Sequence, residues 1–271
     1  MSVYRRKKSS ASPVTVLVSV LVALAIVCGG GFLVWKSNTQ DKIDKVTLCP
    51  SSGPKAQYVV LIDNTSPFPF TQRLALKQRL KDLVVNDLPT GAILTVFVLG
   101  EDFKQNATPL FARCNPGQWD DADSLTKTKK FVDNAYAERF FKPLEDVVNH
   151  IPMDVRGKTS PIFEMLQVAS NNGFKHEHAN GEKRMIIFSD MAANTSDFTM
   201  YKRPQLNYKD FESSDYARKA TAPARNGVSV TLNMMAAEPG VTPYVKRSEF
   251  WARFFSTNGA NLDGVEPMEG L

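Results

Sequence analysis

Four short apolar runs punctuate the chain: residues 58–62 (YVVLI), 92–99 (AILTVFVL), 184–189 (RMIIFS) and 228–235 (VSVTLNMM). Runs of this length without polar alternation are the pattern of strands buried on both faces. Between them the apolar positions recur at helical spacing. Leu74, Leu76, Leu80, Leu83, Val84 and Leu88 follow the first run, and Phe131, Tyr136, Phe140, Phe141, Leu144, Val147 and Val148 lie within 127–151. Further helical patterns occupy 162–169 and 248–255. Strands alternating with helices predict an α/β fold, a Rossmann-like mainly parallel sheet with helices on both faces.

A different pattern precedes all of this. Residues 14–35 (VTVLVSVLVALAIVCGGGFLVW) contain no charge. As a helix they span roughly 33 Å, enough for a hydrocarbon core of about 30 Å. A cleaved signal has a shorter apolar region ending at small residues, which Phe32, Leu33, Val34 and Trp35 do not provide. Val27 is too bulky for a lipoprotein site at Cys28. The expected organisation is a basic arm (1–12), a transmembrane helix (13–35), a linker (36–54) and an α/β domain (55–271). Pro50, Ser51, Ser52, Gly53 and Pro54 mark the linker's end.

Charge sets the orientation and removes one class of partner. The chain carries 33 Lys and Arg against 28 Asp and Glu, a formal +5, but Arg5, Arg6, Lys7 and Lys8 supply four of those charges. The rest is nearly balanced and offers no footprint for nucleic acid. Four cations before the apolar run predict a cytoplasmic N-terminus and a C-terminal domain on the far side of an inner membrane, periplasmic or extracellular. There Cys49 and Cys114 either form one disulfide or stand as unrelated thiols.

In a parallel sheet, ligands bind at the carboxyl ends of the strands. Three polar segments converge there: Asp63, Asn64, Thr65, Ser66 and Pro67 after the first strand; Gly157, Lys158, Thr159, Ser160 and Pro161 opening a helix; and Ser189 with Asp190 closing the third run. With these motifs in this order, the chain resembles the von Willebrand factor A domain family, in a membrane-anchored bacterial form. That family's metal-ion-dependent adhesion site combines a D-x-S-x-S segment, a later Thr in a turn and an Asp closing a later strand. The ending Phe250, Trp251, Ala252, Arg253, Phe254 and Phe255, with Gly259 and Ala260, also resembles bacterial members.

The resemblance implies Asp63, Thr65, Thr159 and Asp190 as ligands of Mg²⁺, a hard cation suited to carboxylate, hydroxyl and water oxygens. Pro67 stands where the second Ser of the motif belongs and has no side-chain oxygen. The local alternative is that Asp63 and Asp190 are turn or cap residues, and that Ser160 caps a helix begun by Pro161. Phe68 and Phe70 either seal the core or widen an interface.

Enzyme classes lack their motifs. The sequence has no G-x-S-x-G and no phosphate-binding glycine loop. His176, Glu177 and His178 read as a solvated turn. The expected function is therefore protein–protein interaction by a membrane-anchored domain, through a Mg²⁺-dependent site. The alternative is a metal-free structural component of a larger envelope-spanning assembly serving secretion, conjugation or phage defence.

Overall fold

The structure is a computed structural model that describes residues 13–39, 41–118, 129–176, 179, 181–220 and 227–268. Its contacts divide into two units, Met1–Lys42 and Ile43–Leu271. The basic residues 5–8, the acidic run around Trp119 and the pair Glu177 and His178 lie outside the described residues.

The first unit contains helix α1, Pro13–Thr39, 27 residues long. Proline begins it, where a missing N–H costs nothing. Its apolar side chains are exposed all around, from Val16 at 50% to Val27 at 70%. A helix apolar on every side has no single face to bury. Among the described residues no helix is long and apolar enough to cross a membrane.

The second unit is built on a six-stranded sheet: β1 (Gln57–Asp63), β2 (Ile93–Leu99), β3 (Phe111–Cys114), β4 (Lys183–Ser189), β5 (Val228–Met234) and β6 (Asn261–Pro267). Their spatial order is β3-β2-β1-β4-β5-β6. All neighbours are parallel except β2 and β3, which are antiparallel. Alternate residues of each central strand serve opposite faces. Val59 and Leu61 join Phe97, Ile187 and Leu232 in one core, while Val60 and Ile62 join Val96, Val98 and Phe188 in the other. Helices α2 (Phe70–Asp82), α3 (Lys129–Tyr136) and α4 (Lys142–His150) precede α5 (Ile162–Gly173) in the chain. Leu76 and Leu80 of α2 and Leu144 and Val148 of α4 cover the second core. The first is covered by Phe163 and Leu166 of α5 and by Trp251 and Phe254 of the C-terminal helix. Two short helices, α6 (Tyr208–Glu212) and α7 (Asp215–Ala220), precede that helix, α8 (Tyr244–Thr257).

The helix expected over 127–151 is interrupted by a wide π turn, Ala137–Phe141. Pro143 explains the break, because it has no N–H to give the carbonyl of Arg139 four residues back. The Arg113 guanidinium donates to that carbonyl instead. Residues from Ile43 to Pro54, read as the end of the linker, belong to the folded unit. Asp44 Oδ1 accepts from the N–H of Val46 and Thr47, at 2.9 and 2.6 Å, and Leu48 is 2% exposed. Arg139 Nη2 donates to the Lys45 carbonyl at 2.6 Å, and Cys114 N–H donates to Thr47 O at 2.7 Å.

Cys49 and Cys114 form a disulfide that fastens this segment to β3. It closes a loop of 65 residues, for which chain entropy gives a stabilisation of about 4 kcal/mol. Urea unfolding of the Cys49→Ser/Cys114→Ser variant is expected to show a loss of that order; an unchanged midpoint would mean that the segment is held by its hydrogen bonds alone.

Candidate functional site

The chain runs from β1 toward β2 on one side and from β4 toward β5 on the other, so the sheet order reverses between β1 and β4. Such a switch point opens a crevice beyond the strand ends, the usual ligand site of open α/β sheets. Ile62 is in register with Phe188, so the next residues, Asp63 and Ser189, come out side by side. The Ser189 hydroxyl donates to Asp63 Oδ2 at 2.6 Å.

Each carboxylate first organises its own turn. Asp63 Oδ1 accepts from Thr65 N–H at 2.9 Å and from the Thr65 hydroxyl at 2.6 Å. Asp190 Oδ1 accepts from Ala192 N–H at 2.9 Å. These are turns in which an aspartate bonds the backbone two residues on. The structure then joins the turns. Ser66 Oγ donates to Asp190 Oδ2 at 3.1 Å, and Thr65 Oγ1 lies 2.9 Å from Ser160 Oγ. Every oxygen of both carboxylates thus has a protein donor.

Three of the four residues expected as ligands, Asp63, Thr65 and Asp190, come together and are buried, at 0%, 5% and 1% exposed. Thr159 is exposed, and its neighbour Ser160 supplies the hydroxyl that reaches Thr65. Ser160 is fixed by two backbone bonds with Asn194, at 2.7 and 3.0 Å. It is not the cap of α5: Pro161 holds that position, with no side-chain cap bond. Gly157 lets the loop come this close, since its N–H donates to Thr65 O at 2.7 Å and a Cβ there would meet Thr65 Cβ at 3.2 Å. Ser66, one residue early for the motif's second Ser, reaches Asp190 nonetheless, and Ser189 is a participant not expected as a ligand, for which the alignment of Asp63 with Ser189 across parallel strands was the signal. Pro67 is exposed, Phe68 is packed in the core at 1%, and Phe70 stands out at 72%. His176 is bonded through its backbone to the Gln57 side chain, at the opposite end of β1.

Past Asp190 the chain turns sharply. Met191 adopts φ 56°, a left-handed conformation that costs a non-glycine residue energy. Its N–H donates to Ser189 Oγ and its carbonyl accepts from Trp251 Nε1, both at 2.8 Å. Burial raises the pKa of Asp63. Asp190 is pushed up to about 6, by burial first and then by the charge of Asp63. Among the described residues no three His, Cys, Asp or Glu side chains cluster to hold a metal. A cation here would therefore rest on two carboxylates, hydroxyls and water. That oxygen set fits a hard divalent ion such as Mg²⁺, and two buried acids within reach of each other are the charge it would neutralise.

No family model matches the chain, and no curated protein matches it. Among solved structures it is similar to the SpRpn10 VWA domain, with 13% identity and a TM-score of 0.42, covering 80% of this chain and 89% of that one. It is also similar to the ArnB paralog VWA2 from Sulfolobus acidocaldarius, with 14% identity and a TM-score of 0.39 over 81% and 44% of the two chains. The human COPII-coat protein Sec24c shows 10% identity and a TM-score of 0.42 over 80% and 30%.

The pKa of Asp190 makes stability depend on pH. Its folded value of about 6 lies above the ordinary 3.8, so ionisation favours the unfolded chain. The benefit is complete below pH 3.8 and disappears as pH rises through 6. Without divalent ions, wild type is expected to lose about 3 kcal/mol across that window relative to Asp190→Asn, measured by urea unfolding. Parallel pH profiles for the two proteins would refute the assignment.

Proposed function

We propose that this chain is a single-pass membrane protein displaying a protein-binding module of the von Willebrand factor A kind, which meets its partner through the loops beyond β1 and β4. The observation that carries the reading is the Asp63–Asp190 pair, buried together at the switch point of the sheet and tied to Thr65, Ser66 and Ser160. Asp63, Thr65 and Asp190, with Ser66 and Ser160 in support and Thr159 at the rim, would hold Mg²⁺. The ion would supply an open coordination position for an acidic group of the partner. The hydroxyls here are bonded to carboxylates, as in a ligand set or a structural network, and we read the protein as a binder rather than an enzyme. Helix α1, with 22 uncharged residues in 14–35 and apolar side chains facing every direction, supports the anchor. The basic arm before it supports a cytoplasmic N-terminus and a domain on the far side of the inner membrane.

Two observations favour the second reading, a metal-free component of an envelope-spanning assembly. Pro67 takes the place of a hydroxyl, and each carboxylate oxygen already has a protein donor.

Detergent-solubilised full chain at pH 7.5 separates the two. Mg²⁺ at about ten times its dissociation constant adds about 1.4 kcal/mol, a rise of roughly 3 to 6 °C in Tm. Wild type is expected to show that rise and Asp63→Asn/Asp190→Asn is expected not to; no rise in either establishes the metal-free reading. For the anchor, a periplasmic reporter fused after Leu271 is expected to be active, and activity of a cytoplasmic reporter instead would reverse the orientation.

A further inference from the structure

Among the described residues the protein buries three charged side chains: Asp63, Asp190 and Arg247. Buried charges persist where they are balanced, and the fold brings all three to one place. α8 presses on the turn after β4 through Trp251, which bonds the Met191 carbonyl. Arg247 lies one helical turn earlier, on the same face of α8, and is 3% exposed. Its Nη1 donates to Thr242 O at 2.6 Å, while its Nε has no hydrogen-bond partner among the described residues. Arg247 and Asp190 act on each other electrostatically. Glu238, also within electrostatic reach of the neighbouring Tyr201, is 2.5 Å from Arg156 and so adds no net charge.

The balance that follows is simple. Two ionised carboxylates and one guanidinium leave a single negative charge. A divalent cation would turn that into a single positive charge, and an acidic ligand would then restore neutrality. We infer that Arg247 is the internal counter-charge of the Asp63–Asp190 pair, weakening divalent-cation binding in the free protein and coupling it to the arrival of an acidic group. The cation half of this inference rests on the proposed function; the counter-charge half stands on burial, placement and the interaction of Arg247 with Asp190.

Mn²⁺ is the probe, titrated by electron paramagnetic resonance into detergent-solubilised full chain, with and without acetate as the acidic group. Arg247→Met is expected to bind Mn²⁺ at least about tenfold tighter than wild type, the effect of removing one charge across a partly screened site. Arg247→Lys is expected to match wild type, and acetate is expected to tighten Mn²⁺ more in wild type than in Arg247→Met. Equal Mn²⁺ affinity in wild type and Arg247→Met overturns the inference. Because losing a buried guanidinium also loosens packing, a urea-unfolding cycle of Arg247→Met with Asp190→Asn accompanies the titration. A double variant more stable than the sum of the two single effects implies supports the counter-charge, and additive effects overturn it. Coupling in the cycle with no Mn²⁺ bound by any protein would sink the cation reading and leave the counter-charge standing. Mn²⁺ binding by wild type with an additive cycle would do the reverse.

Discussion

The parallel pairing of β1 with β4 is the constraint from which the rest of the domain follows. Seven and seven residues, buried almost throughout, run side by side in register, and their chains leave the sheet together. Two aspartates one residue apart in that alignment are then forced into the same buried corner, where burial disfavours their charge. The surroundings answer that problem: hydroxyls from two loops and from the end of β4, a left-handed Met191 clamped from both ends, and a guanidinium brought in by α8. The loops beyond the sheet are ordered because these bonds hold them, and the bonds exist because the strands are parallel neighbours.

Such an arrangement is costly unless it is used. Under the proposed function the pair is the charge a cation would neutralise, and the polar network is the form in which the corner would receive it. The same bonds that make the corner tolerable also preorganise it, since Thr65 and Ser66 are already turned toward the carboxylates and Ser160 toward Thr65.

Much of this was legible in the order of residues. The four central strands announce themselves as continuous apolar runs, and β1, β2, β4 and β5 lie within a residue of those runs. The edge strands did not announce themselves, for a physical reason. β3 is four residues with half-buried Ala112 and Arg113, and β6 carries Asp263 and Glu266 on an exposed rim. Strands that pair on one side only need no apolar run and are better protected by charge. The site was legible as three segments but not as contacts. Which of Thr159 and Ser160 faces inward depends on the backbone pairing with Asn194, a partner 34 positions along the chain. Arg247 carries no motif at all; its burial on the inner face of α8 sets it apart from the other described Lys and Arg residues.

The Cys49–Cys114 bridge has a mechanical consequence. A pull applied at the N-terminal end of the chain would otherwise be delivered along residues 50–56 into β1, the middle strand on which the carboxylate corner is built. The covalent link diverts that load at Cys49 and hands it to Cys114, at the end of the outermost antiparallel strand. A load entering from the N-terminal side would thus fall on the rim of the sheet before it reached the strand that carries Asp63.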